Sequence, residues 1–139
     1  MHDLVVSTRD KATVTVMLNR PDRRNALDIA TLTALLARVT EAAQDPAVHV
    51  IVLHGAGEGF CAGADLAVLD TLTAGENAAA TFQPAVDLLQ QVIHCIATAP
   101  KITIAALHGF ALGSGLDLAL ASDLRLAASG TKLACSHVN

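Results

Sequence analysis

Two glycine-rich turns carry the chemistry that this sequence is equipped for. Leu107 to Asp123, LHGFALGSGLDLALASD, reads as an apolar strand feeding a turn that opens into a helix. Gly109, Gly113 and Gly115 let the backbone turn sharply and come close to a ligand, and the amides beyond them point out of a helix N-terminus. Such a place stabilises negative charge. A second turn, Gly59 to Leu66 (GFCAGADL), follows another apolar strand and supplies a second donor. Two turns of this kind can make an oxyanion hole, in which preorganised N–H groups meet charge that develops on a carbonyl oxygen.

Those turns need a scaffold. Asp3 to Arg9 and Ala12 to Asn19 are rich in Val and Thr and join across Asp10-Lys11, which predicts a β-hairpin with Val14, Val16 and Leu18 on one face. Pro21 and Asn25 in RPDRRN mark a loop. Leu32, Leu35, Leu36 and Val39 recur at helical spacing and predict a helix over Ile29 to Ala43, capped near Asp28 and stopped by Asp45-Pro46. Val48 to Leu53 is a nearly continuous apolar strand, of the kind buried on both faces in a parallel sheet. A short helix is expected from Ala64 to about Leu72, then a polar break over Thr73 to Asn77. A long helix over Ala78 to Ala97 follows, with Pro84 in or near its first turns. The remaining expected elements are a buried strand over Ile102 to Leu107, a helix from about Ser114 to Ala121 and a strand over Asp123 to Ala128. Strands alternating with helices, with no linker between them, predict one α/β domain.

Composition narrows the classes of function. Of 139 residues 53% are hydrophobic and 16% charged, with no Trp or Tyr, whereas ordinary domains run to about a quarter charged. The excess apolar surface requires a cover, either partner subunits or further polypeptide. Lys132 to Asn139 reads as an interrupted segment, so a truncated chain is expected. A formal net charge of −4 argues against nucleic acid as a partner. No apolar run reaches the length of a membrane span and no signal-peptide pattern stands at the start, which predicts a cytoplasmic protein with no membrane partner. Cys61, Cys95 and Cys135 are widely spaced and lack C-x-x-C spacing, so buried free thiols are expected. His49, His54, His94 and His108 show no ligand spacing, and no metal site is expected.

Simpler motifs do not fit. Gly55-Ala-Gly-Glu-Gly59 resembles a dinucleotide fingerprint, but its third glycine comes one residue early and the loop leads to Phe60-Cys61 rather than into a long helix. No phosphate-binding G-x-x-x-x-G-K-[ST] is present, and Gly113-Ser114-Gly115 has the wrong spacing for a nucleophile elbow.

Three segments together match a known pattern. Asn19 to Leu27 (NRPDRRNAL), Phe60 to Leu66 (FCAGADL) and Gly109 to Leu118 (GFALGSGLDL), followed by Ala121-Ser-Asp123, resemble the crotonase superfamily, the enoyl-CoA hydratase/isomerase family. The resemblance runs in register over the whole chain and covers the first half of a typical core. It implies the α/β ClpP/crotonase fold, a spiral of ββα repeats, here truncated after that first half. It implies an acyl-CoA thioester as substrate, with no cofactor beyond that CoA, and a homo-oligomer, a trimer or a hexamer. By position, the two oxyanion-hole amides are those of Ala64 and Ser114, the latter standing where most relatives carry a third glycine. Among the implied CoA and substrate contacts, Arg24 meets a phosphate, Ala62, Asp65 and Leu66 lie near the adenine, and Ala26 and Gly113 complete the set. For Arg20 and Arg23 a solvated surface loop is the simpler expectation.

Hydratases of this family use two glutamates, and the corresponding positions here hold Asp117 and His137, the implied catalytic pair. Asp117 reads equally as part of a capping box, Ser114-x-x-Asp117, that closes the helix N-terminus. His137 can act as a base near neutral pH, and its place almost at the chain end reads equally as incidental. The resemblance implies hydration or double-bond isomerisation of an enoyl-CoA through a thioester enolate, in fatty acid metabolism. The alternative is a non-catalytic relative that keeps the CoA-binding half or only the fold.

Overall fold

The computed structural model describes residues 2–70, 75 and 77–135. The expected hairpin is present as β1 (Val5–Asp10) and β2 (Thr13–Leu18), antiparallel, with Lys11 at φ 55° in the tight connection. A 3₁₀ turn over Pro21–Arg23 then leads to α1 (Ile29–Gln44). Asp28 caps α1 by accepting the Thr31 N–H at 2.7 Å, one of the donors that a helix start otherwise leaves unpaired. β3 (Val50–Gly55) and α2 (Leu66–Asp70) follow. The long helix α3 (Ala78–Thr98) contains Pro84, β4 spans Ile102–Leu107, and α4 covers Ser114–Ala121. β6 runs over Leu124–Ala127. Two three-residue strands were not foreseen: β5 (Phe110–Leu112) and β7 (Lys132–Ala134), which pair in parallel as a separate small sheet. Of the expected polar break Thr73 to Asn77, residues 73, 74 and 76 lie outside the described residues.

The main sheet has the order β1-β2-β3-β4-β6, with every pair after the hairpin parallel. Val14, Val16 and Leu18, Ile51 and Leu53, and Ala105 and Leu107 share one face, and they form a common core with Leu32, Leu35 and Val39 of α1, Val92 and Ile96 of α3 and Leu118 of α4. Burial of each large aliphatic side chain contributes about 1.5–3 kcal/mol. The opposite face differs from expectation. β3 and β4 are fully buried only at alternate residues, because the helices pack on one face alone. On β6, Leu124 and Leu126 are in register with Ile104 and Ala106 and are 55% and 65% exposed.

Two boundaries moved for identifiable reasons. Val48 is buried but precedes β3, because the Asp45 turn holds it: the Asp45 side chain accepts the Ala47 N–H at 2.8 Å and its carbonyl accepts that of Val48 at 3.1 Å. Asp123 is not part of β6. Its carboxylate accepts the Thr103 N–H at 2.9 Å and its own N–H donates to Thr103 Oγ1 at 2.9 Å, which fixes the start of the edge strand. Arg125 donates to the carbonyls of Ala119 and Ser122 and so closes the C-terminal end of α4.

Asp28 offers a direct stability test. Partial burial pushes its carboxyl upward, but hydrogen bonds from Thr31 and the Arg20 guanidinium outweigh burial and hold it below its ordinary value. A depressed carboxyl contributes stability above its unfolded pKa and loses it on acidification. Asp28→Ala is expected to cost about 1 kcal/mol at neutral pH. The gap between wild type and variant should close as pH falls below about 4, as read by urea unfolding across pH. A gap that stays constant down to the acid limit contradicts this account of the cap.

Candidate active site

The two turns singled out above follow β3 and β4 and are brought together by the loop between β2 and α1. In that loop Arg24 and Asn25 adopt left-handed backbone, with φ of 53° and 55°. Such conformations persist in residues other than glycine only where the surroundings over-determine them, and here they do. Asn25 is 1% exposed, its Oδ1 accepts the Arg20 N–H at 2.8 Å, and its Nδ2 donates to the carbonyls of Ala56 and Gly59 at 2.8 and 3.0 Å. One asparagine thus ties the loop to the segment after β3.

Arg20 is the second tie, and its placement corrects the expectation of a solvated residue. Its side chain is 14% exposed, donates to the Ala26 carbonyl at 2.7 Å, and meets Asp65 at 3.2 Å and Asp28 at 3.3 Å. The residue expected near an adenine, Asp65, is 8% exposed, and its carboxylate is engaged by Arg20 and by the Ala67 N–H at 2.9 Å. Arg23 is exposed, as expected. Backbone bonds then join the loop to the first turn: Ala62 N–H to the Arg24 carbonyl at 3.0 Å, Leu27 N–H to Gly63 at 2.8 Å, and Asp65 N–H to Leu27 at 3.0 Å.

The first turn is held equally firmly to the second. Phe60 and Leu112 N–H groups donate to the carbonyls of Phe110 and Cys61 at 2.9 and 3.0 Å. A Cβ placed on Gly115 would stand 2.5 Å from the Cys61 carbonyl oxygen, so only glycine allows α4 to start this close. Gly113, with φ 53° and ψ −123°, makes the turn itself, and its N–H donates to the Ala134 carbonyl at 2.9 Å. β7 therefore pins the turn that opens α4. A Cβ on Gly63 would lie 2.8 Å from the Leu112 carbonyl and 3.4 Å from the Ser114 nitrogen, so the two turns are in contact beside Ala64 and Ser114.

At that junction the backbone N–H groups of Ala64 and Ser114 have no acceptor among the described residues. Ser114 is 7% exposed and is the first helical residue of α4, while Gly113 takes the N-cap without any side-chain cap bond. The capping box expected from Ser114 and Asp117 is therefore not formed. Because Gly113 absorbs the positive φ, serine at 114 needs only ordinary helical backbone. Asp117 is half-buried one turn further on, its N–H bonded to the Gly113 carbonyl at 3.1 Å. Ala26 and Ala62 lie on the same joined loops, and Leu66, 75% exposed, opens α2 just beyond them. His137 lies outside the described residues.

Cys61 sits beneath this junction. Its thiol donates to the Asn25 carbonyl at 3.1 Å, and burial pushes it up to about 12, against the opposing hydrogen bond from Gly63. Only the thiolate is a nucleophile. Of the three thiols expected to be buried, only Cys61 is: Cys95 is half-buried and Cys135 exposed. At neutral pH, iodoacetamide is expected to label Cys135 in the native protein and to reach Cys61 only after unfolding, as mapped by mass spectrometry. Labelling of Cys61 at the same rate as Cys135 in the folded state contradicts this burial. No group of three or more His, Cys, Asp or Glu side chains that could hold a metal ion occurs among the described residues, and none of their helices is long and apolar enough to cross a membrane.

A mixed sheet with helices on one face, whose third and fourth strands run into two backbone turns packed against each other, defines the crotonase class of α/β protein. The family model described as enoyl-CoA hydratase/isomerase matches residues 8–139. The chain belongs to that family. It is 37% identical over 132 residues to a crotonyl-CoA hydratase from Syntrophomonas wolfei, a match spanning 94% of this chain and 49% of the relative. Among solved structures, an enoyl-CoA hydratase from Bacillus halodurans superposes with a TM-score of 0.89 at 25% identity, covering 94% of this chain and 52% of that one. An enoyl-CoA hydratase/carnithine racemase from Magnetospirillum magneticum gives 0.85 at 34% identity, covering 96% and 49%. The chain spans about half the length of the relatives it matches.

Sequence reasoning missed Arg20, Asn25 and β7, all of which build the site. Arg20 and Asp65 are separated by 45 positions, and nothing local marks them as partners. The pair of residues at positive φ gave one weak signal, since asparagine tolerates left-handed backbone better than most residues do.

Proposed function

We propose that this chain forms the thioester-binding part of an enoyl-CoA hydratase or isomerase site, in which the amides of Ala64 and Ser114 hold the substrate's carbonyl oxygen. The observation that carries this reading is the pair of N–H groups without acceptors on two turns in contact. Buried backbone donors are nearly always paired, and here Ser114 is buried and Ala64 half-buried. Two left open side by side, on turns braced by Arg20, Asn25 and β7, are suited to an oxygen from outside the chain.

In hydration, a base takes a proton from water as its oxygen bonds to C3 of the conjugated thioester. Electrons shift onto the thioester oxygen, the two amides stabilise the resulting enolate, and a proton then adds at C2. In isomerisation the same enolate forms by loss of a proton from carbon and collapses by protonation elsewhere along the chain. Asp117, one turn into α4, and His137 are the groups assigned to these proton transfers. Arg24 is assigned to a CoA phosphate, with Ala26, Ala62, Asp65, Leu66 and Gly113 along the substrate. Assembly into a trimer or hexamer would cover apolar side chains such as Leu124 and Leu126, and light scattering reads it directly.

The test is incubation of the purified protein with short and medium enoyl-CoAs. Loss of the conjugated thioester absorbance reports hydration, and analysis of the CoA products reports isomerisation. Turnover supports the enzymatic reading. Calorimetric binding of CoA without turnover by folded protein replaces it with the non-catalytic, CoA-binding reading, which the exposed apolar face of β6 also favours. Neither turnover nor binding overturns both.

A further inference from the structure

Arg24 differs from the other arginines of the chain. Arg9, Arg20 and Arg38 each face a carboxylate, and Arg125 donates to the carbonyls that end α4. Arg24 has no acidic partner among the described residues. Its guanidinium instead lies over the ring of Phe110, 4.3 Å from the ring centroid. Arg23, its neighbour, has neither kind of contact among the described residues.

Both ends of this contact are fixed. The Arg24 backbone is held left-handed, and its carbonyl accepts the Ala62 N–H, two residues before Ala64. Phe110 is 8% exposed, its carbonyl accepts the N–H groups of Phe60 and Cys61, and it stands on β5, the strand that enters the Ser114 turn. The ring also presses on Gly59, where an added Cβ would collide with it, 2.5 Å from Cδ1 and Cζ. The ring therefore fills the space that a side chain at position 59 would take. A guanidinium over an aromatic face is attracted to the ring and carries its N–H donors at its edges, in the planar fork that matches phosphate oxygens.

We infer that Phe110 is a positioning residue for phosphate recognition: its ring, seated on Gly59, holds the Arg24 guanidinium in one orientation with its donors free for a phosphate group of the substrate's CoA. The inference rests on the CoA reading above and adds to it a residue that touches no substrate. It also gives Gly59 a reason beyond turn geometry, since a side chain there would lift the ring from its seat.

Calorimetric titration of CoA into the wild type, Arg24→Gln, Phe110→Leu, Gly59→Ala and the double variant Arg24→Gln/Phe110→Leu tests it. Arg24→Gln is expected to weaken CoA about tenfold, as loss of one charge-assisted contact does. Phe110→Leu and Gly59→Ala should each weaken it about three- to tenfold, and Phe110→Leu should have no further effect once Arg24 is gone. A side-chain ¹⁵N spectrum supplies a second readout that packing alone does not move. The Arg24 Nε–H signal should be shifted by the ring in the wild type and return to the ordinary arginine position in Phe110→Leu and Gly59→Ala. If Phe110→Leu weakens CoA equally with and without Arg24, or the Arg24 signal is the same in all variants, the positioning role is overturned while the CoA reading stands. A wild type that binds no CoA overturns the CoA reading and the inference with it.

Discussion

On the oxyanion role proposed above, replacing Ser114 by proline is expected to lower enoyl-CoA turnover by about 10²–10³, the usual consequence of removing one such donor, while leaving the fold intact. Proline is well suited to the first position of a helix, where its missing N–H bonds nothing within the helix and its fixed φ is already helical. Ser114 holds that position in α4, and its N–H has no acceptor among the described residues, so the substitution removes no bond of the protein. Gly113, preceding it at ψ −123°, has no Cβ to meet the proline ring. Ser114→Ala is the matching control, because it deletes the hydroxyl and keeps the amide. Its turnover should stay within a few-fold of wild type. Equal losses in the two variants would mean that the side chain, and not the backbone, acts on the substrate, and would remove Ser114 from the oxyanion hole.

The second large effect concerns stability. Arg20→Leu is expected to destabilise the protein by about 3 kcal/mol, since breaking a largely buried ion pair leaves an uncompensated charge behind. Asp65, whose side chain is 11% exposed, would face an apolar group in place of a cation, and the Ala26 carbonyl would lose its donor. For a chain of this size the melting temperature should fall by about 10 °C. The double variant Arg20→Leu/Asp65→Leu should recover part of that loss, because an apolar pair of similar volume is often no worse than the ion pair it replaces. Thermal unfolding followed by circular dichroism measures both. A loss below about 1 kcal/mol in the single variant would place this pair in the range of exposed ion pairs and remove it as a brace of the first turn.

The same residue shows how far a sequence can be read. The elements around the two glycine turns were legible because their signals are local. Asp28 before a run of apolar residues at helical spacing gave the start of α1, and glycines ahead of LDLALA gave that of α4. The hairpin, β4 and the long helix were legible for the same reason. The capping box was a local inference that failed, because Gly113 occupies the cap and moves Ser114 one position into the helix. The both-face burial expected of β3 also failed, since a run of Val, Ile and Leu does not say how many layers cover it.

By itself, then, the sequence determined the order and kind of the main elements, the two glycine turns after β3 and β4, and membership of the enoyl-CoA hydratase/isomerase family, through three motifs at fixed spacing. Only the tertiary structure decided how those turns are held against each other. Arg20 reaches Asp65, Asn25 reaches Ala56 and Gly59, and Gly113 reaches Ala134, each across many residues of chain. Helix caps and turns are specified by the few residues that form them. A bond between distant segments depends on the packing of everything between, and no pattern along the chain records it.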